Sequence, residues 1–250
     1  MVETIGTEYF YTDSGIKVPA VTMERMREID RIAMGKTGPN LFQMMENAGR
    51  SLAQLAIDVL GRGWDRAKLV VLAGTGGNGG GGIYAGRHLA NRNANVKLCL
   101  TNPERLSEVS AFQRKIFHST GGQEVELVDL GGSSVDLIVD AIIGYGLKAA
   151  PRGMAVELIH WANDSKAAML SLDVPSGVDS TTGETPGEFI KPQWTMTLAL
   201  PKRGLLPERT GELFLADIGI PAEPYRIIGL DFTPPFGEHF LVPLQSQRIN

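Results

Sequence analysis

Lys68-Leu69-Val70-Val71-Leu72-Ala73-Gly74-Thr75-Gly76-Gly77-Asn78-Gly79-Gly80-Gly81-Gly82 is the stretch on which the fold turns. A short apolar run empties into seven glycines within positions 73–82. Each glycine in place of alanine costs roughly 0.5–1 kcal/mol of backbone ordering, so seven require a reason. One reason is close approach of the backbone to a ligand. Amides at a strand-to-helix turn, with the positive end of the following helix, cradle an anion such as phosphate. The local charge agrees, since Arg66, Lys68, Arg87, Arg92 and Lys97 lie between residues 66 and 103 with no carboxylate among them. A flexible surface turn is the plainer alternative.

The same texture repeats downstream. Leu69 to Ala73, Val96 to Leu100, Val125 to Val128, Leu137 to Ile143 and Ala168 to Leu172 are short apolar runs. Between them, Gly82 to Arg92, Glu104 to Ser119 and Gly153 to Asn163 carry helical patterns. Apolar runs without polar alternation mark strands covered on both faces, as in a parallel sheet between helix layers. Trp194 to Leu200 and Leu213 to Ala216 read as strands that finish the sheet. Upstream, Thr22 opens a helix with Met23, Met26, Ile29 and Ala33 in register, and Gly35 and Gly38 end it. Asn40 caps a second helix with a stripe from Leu41 to Leu60. The pattern predicts an α/β fold in which two helices precede any strand, an irregular segment over residues 1–20, one domain over 1–250, and an uninformative tail from Pro224.

Composition narrows the function classes. The 250 residues carry 24 basic and 28 acidic side chains, a formal charge of −4, so nothing points to nucleic acid or an anionic membrane. Cys99 is the single cysteine, and His88, His118, His160 and His239 show no zinc-ligand spacing. No apolar run reaches the length of a membrane span, and the N-terminus has neither signal-peptide nor transit-peptide character, so the cytoplasm is the expected compartment.

Gly74, Gly76 and Gly79 satisfy the dinucleotide fingerprint, a weak match when alone. A dehydrogenase using NAD would want an acidic residue about 20 positions on to hold the ribose. Here the second strand ends Cys99-Leu100-Thr101-Asn102, with no carboxylate before Glu104. Two other strand ends are better furnished. Asp140 precedes a Gly144-Tyr145-Gly146 turn, and Asp173 precedes Val174-Pro175-Ser176-Gly177. If the strands are parallel, the glycine loop, Asp140, Asp173 and Ser176 share the edge where open α/β sheets bind ligands. Each aspartate taken singly reads equally well as a turn cap.

These residues together resemble a known family, the YjeF N-terminal domain, whose enzymatic members are NAD(P)H-hydrate epimerases. The matching segments are Met44 to Arg50, the glycine loop with Arg87-His88-Leu89, Asp140 to Leu147, Leu172 to Asp179, and Pro201-Lys202-Arg203-Gly204-Leu205, in order from about Thr22 to Pro221. The resemblance implies a Rossmann-like three-layer α/β/α sandwich that interconverts the R and S epimers of hydrated NADH and NADPH. It implies one potassium ion per subunit held by Asn78, Asp140 and Ser176. It carries substrate contacts over to Gly77, Asn78, Gly79, Gly80 and Gly81, to Gly144, Tyr145, Gly146, Leu147, Lys148, Ala149 and Ala150, and to Asp173. Asp173 and Lys202 are the expected catalytic pair, Lys202 reading equally well as a solvated turn residue. A homodimer and a separate dehydratase in the same pathway are also implied. The family's Asn-Asn-Gly-Gly-Asp loop stands here as Gly77-Asn78-Gly79-Gly80-Gly81. The change keeps the cation ligand and loses one polar substrate contact. Three readings stay open: the epimerase, a YjeF-type interaction or nucleotide-binding module without turnover, and a conventional dehydrogenase.

Overall fold

A computed structural model describes residues 7–131 and 134–246. Its ten strands form one sheet, with β1 (Tyr9–Tyr11), β2 (Lys17–Pro19), β3 (Lys68–Ala73), β4 (Asn95–Leu100), β5 (Gln123–Glu124), β6 (Leu137–Ala141), β7 (Ala168–Leu172), β8 (Trp194–Leu198), β9 (Glu212–Ala216) and β10 (Leu241–Ser246). The spatial order is β2-β1-β10-β9-β8-β7-β6-β3-β4-β5. From β9 to β5 every neighbouring pair is parallel, whereas β10, β1 and β2 join antiparallel.

Helices cover both faces. They are α1 (Met23–Ile32), α2 (Leu41–Leu60), α3 (Gly77–Ala90), α4 (Glu108–Phe117), α5 (Met154–Asp164), α6 (Pro207–Thr210) and α7 (Ala222–Ile227). Successive strand side chains point to opposite faces. Leu69, Val71 and Ala73 of β3 therefore enter one core with α2 and α3, while Val70 and Leu72 enter another with Leu158, Ile159 and Ala162 of α5. This two-sided burial is why β3 reads as an unbroken apolar run.

Several local expectations are corrected. Strands β1 and β2 precede α1, so the helices are not first, and only residues 1–6 of the supposed irregular segment lie outside the described residues. These two strands are short edge pieces, and three residues are too few to show alternation. The strand expected at Val125 to Val128 is the pair Gln123–Glu124 followed by a 3-10 turn over Leu127–Leu130. Glu126 and Asp129 cap that turn reciprocally, which wins the segment from extended structure. Strand β6 stops at Ala141 rather than Ile143, and the tail supplies α7 and β10.

The order of winding positions the site. From β3 the chain moves outward through β4 and β5, then returns to place β6 on the other side of β3. The C-terminal ends of β3 and β6 thus flank a topological switch point, where open α/β sheets form their ligand crevices.

Candidate functional site

The glycine run begins α3 at Gly77, five residues earlier than its pattern suggests, with Gly76 as the cap residue. Its first turn leaves backbone N–H groups without intrahelical acceptors. Most of the glycines nevertheless answer to packing. A Cβ at Gly79 would fall on the Gly74 carbonyl, one at Gly82 on the Ala141 side chain, and one at Gly74 on the Ile142 carbonyl. Helix α3 and the β3 turn therefore sit against β6 at a separation only glycine permits. Gly76 and Gly77 meet nothing within 4 Å, so the cradle reading applies to those two. The basic residues do not converge on it. Arg87 is paired with Glu46, Lys68 opens β3 at the opposite end, and Lys97 donates to the Asp129 carbonyl. His88 likewise turns to Glu46, at 2.7 Å.

Gly81 has its own neighbour. A Cβ there would stand 2.6 Å from Leu172 Cδ2, so the Leu172 side chain fills the space that a larger residue would take. This chain's departure from the family loop is thus matched by packing from β7.

Asp140 is completely buried in β6. It accepts from Ser171 Oγ at 2.8 Å, Ser176 N at 2.9 Å, Ile142 N at 3.2 Å and Ser176 Oγ at 2.5 Å. Burial pushes its pKa above the usual carboxylate range, against the pull of these donors. Ser176 also accepts from Ile143 N at 2.8 Å. Asn78 stands across the turn: in the amide orientation that satisfies its neighbours, it donates to the Leu172 carbonyl at 3.2 Å and accepts from Gly144 N at 3.3 Å. Gly144 keeps this crossing close, since a Cβ would lie 2.9 Å from the Asn78 amide and 3.0 Å from Asp173 Oδ2 and would push those side chains aside.

Asp173 closes the group. Its backbone takes a left-handed φ of 68°, a conformation disfavoured for a residue with a side chain. One carboxylate oxygen accepts from Lys202 Nζ at 2.5 Å, the other from Tyr145 N at 3.0 Å. Lys202 is 1% exposed, which overturns the solvated-turn alternative. Its ammonium also donates to the Leu198 carbonyl at 3.0 Å and Thr197 Oγ1 at 3.3 Å, so all three protons are engaged. A cavity of about 80 Å³ is lined by Asp173, Lys202 and Tyr145 together with Asp30, Met34 and Leu41, among others.

The expected site residues are therefore gathered, with exceptions. Asp140, Ser176, Asn78, Gly144, Tyr145, Asp173 and Lys202 are linked through the contacts above. Leu147 is buried, whereas Gly146, Lys148 and Ala149 are exposed, and Ala150 abuts Gly187. Sequence reading missed Ser171, Ser180, Thr197 and Asp30. Only Asp30 left a trace, a carboxylate beside Ile29 in the apolar stripe of α1.

The family model described as YjeF-related protein N-terminus matches residues 41–204. The chain belongs to that family. It is 50% identical over 240 residues to the NAD(P)H-hydrate epimerase of Dehalogenimonas lykanthroporepellens, covering 96% of this chain and 98% of that one. It is also 33% identical over 254 residues to enhancer of mRNA-decapping protein 3 of Gallus gallus, covering 95% of this chain and 47% of the relative. The crystal structure of yeast ynu0, YNL200c, shares the fold with a TM-score of 0.74 at 24% identity, covering 92% of this chain and all of that one. Among the described residues, no helix is long and apolar enough to cross a membrane.

Proposed function

We propose that this protein is an NAD(P)H-hydrate epimerase working on a Rossmann-like three-layer scaffold. The observation that carries the reading is 50% identity to a named epimerase along nearly its whole length, joined to a buried Asp173–Lys202 pair at the switch-point edge. In the hydrated nicotinamide the hydroxyl sits on the ring carbon beside nitrogen. Nitrogen pushes the C–O bond open, the hydroxyl departs as water with a proton from the Asp173–Lys202 pair, and a water added from the other face returns that proton. Such acid–base assistance is worth about 10² to 10⁴ in rate. The open start of α3 at Gly76 and Gly77, with the Gly144–Ala150 loop, holds the dinucleotide.

A potassium ion fits the residues present. Asp140 is a buried carboxylate whose four hydrogen bonds all come from neutral donors, leaving its charge without a cationic side chain. With Ser176 and Asn78 it offers only oxygen ligands, the preference of a hard cation. When bound, the ion supplies positive charge at the crevice and fixes these oxygens. The cytoplasm, a homodimer, and a separate dehydratase that consumes the product complete the proposal.

The test is epimerisation of purified S- or R-hydrated NADPH, followed by chromatography with and without potassium. Acceleration above the spontaneous rate supports the enzyme. Folded protein that binds nucleotide without acceleration supports a binding module, the reading favoured by similarity to a decapping enhancer over 95% of the chain.

A further inference from the structure

Tyr145 is held at every polar atom it has. Its N–H donates to Asp173 at 3.0 Å, its carbonyl accepts from Ser180 Oγ at 2.9 Å, and its phenol donates to Asp30 Oδ2 at 2.7 Å. Lys202 Nζ lies 5.6 Å from the centre of its ring. Tyr145 thus meets both members of the buried pair, and its outer end rests on a helix from a distant part of the chain.

Among the described residues Asp30 forms no ion pair, and the Tyr145 phenol is its one side-chain hydrogen-bond partner; the charges of Lys202 and Asp173 also reach it through space. A carboxylate on the rim of an apolar stripe carries a desolvation cost, which its partner must offset. Asp30, Met34, Leu41 and Tyr145 line both the small cavity at Asp173 and an open surface depression beside Arg27 and Arg31. Asp30 and Tyr145 therefore stand in the wall between solvent and the Asp173–Lys202 pair.

We infer that Asp30 is a positioning residue for the reaction at Asp173, acting through its hydrogen bond to Tyr145. This rests on the epimerase reading. The carboxylate anchors the phenol, the anchored ring fixes the backbone of the Gly144–Ala150 loop, and the Tyr145 N–H then aims the Asp173 carboxylate. Displacement of a catalytic group by about 1 Å costs on the order of 10²-fold in rate, so a soft anchor is expected to lose a sizeable part of that.

The experiment measures epimerisation by wild type, Asp30→Ala, Asp30→Asn, Tyr145→Phe and the Asp30→Ala/Tyr145→Phe double variant. Asp30→Ala and Tyr145→Phe are each expected to lower kcat by about 10-fold to 100-fold, with KM within about twofold. The double variant should be no slower than the worse single one, because both delete the same bond. Asp30→Asn keeps an acceptor for the phenol and should retain most of kcat. Tyr145→Phe removes one oxygen atom and serves if Asp30→Ala fails to fold. Unchanged kcat in Tyr145→Phe, multiplying effects in the double variant, or a loss confined to KM would each overturn the inference while the epimerase reading stands. A wild-type protein without epimerase activity would remove that reading, and this inference with it.

Discussion

Lys202 donates to Asp173 at 2.5 Å where neither side chain exposes more than 5% of its surface. Removing one partner from such a pair leaves an uncompensated buried charge, a loss of about 3–5 kcal/mol. Lys202→Met is therefore expected to lower unfolding stability by about that amount in chemical denaturation. Asp173→Asn should cut the epimerisation rate by about 10² to 10⁴. A variant with apolar residues at both positions should regain much of the stability and none of the rate. Full activity in Asp173→Asn would remove the acid–base assignment.

Potassium should stabilise the folded chain by mass action, because the unfolded chain does not assemble Asn78, Asp140 and Ser176. The melting temperature is expected to climb with potassium chloride beyond the effect of tetramethylammonium chloride at the same ionic strength. Asp140→Asn should abolish the difference. An identical response to both salts would refute a specific ion site.

The Gly81–Leu172 contact makes a packing prediction. Alanine at 81 gains helix propensity of about 1 kcal/mol, yet its Cβ would meet Leu172 Cδ2 at 2.6 Å. Overpacking of this kind costs typically 1–3 kcal/mol, so Gly81→Ala and Gly81→Asp should both destabilise. Adding Leu172→Val, which withdraws the clashing methyl, should recover part of the loss. Additive effects in denaturant melts would show that the two positions do not compete for space.

His88 gives a pH dependence. Burial, and then the Arg87 charge, hold its pKa below the ordinary value of 6.5, outweighing the help of Glu46. Between the lowered folded pKa and 6.5 the unfolded chain binds more protons, so stability rises with pH across that window. The contribution is complete above about 6.5 and is lost as pH falls through the window. Thermal melts from pH 5 to 8 should show this slope, and His88→Gln should flatten it.

The alternation of apolar runs and helical patterns made β3, β4, β6, β7 and their helices legible, because strands buried on both faces carry no polar interruption. The hairpin β1–β2 was not, since three-residue strands hold too few side chains to display a period. The edge that carries the candidate site followed from parallel topology once Asp140 and Asp173 were seen at strand ends. The burial of Lys202 was not legible, as a lysine after proline in a turn normally lies in solvent. The glycine run was the most instructive case. Its composition was plain, but whether a missing Cβ makes room for a ligand or for a neighbouring strand depends on what lies across the gap.

Strand β1 lies between β2 and β10, and Val21 bonds through its backbone to Pro201 and Arg203 on either side of Lys202. The segment ahead of α1 is thus clasped by β10, and the same segment fastens the backbone of the site lysine. Strand β1 pairs with its chain neighbour β2 on one side and with β10 on the other. The firmness of the backbone beneath Lys202 accordingly depends on a pairing between residues remote in the chain, Val21 with Pro201 and Arg203.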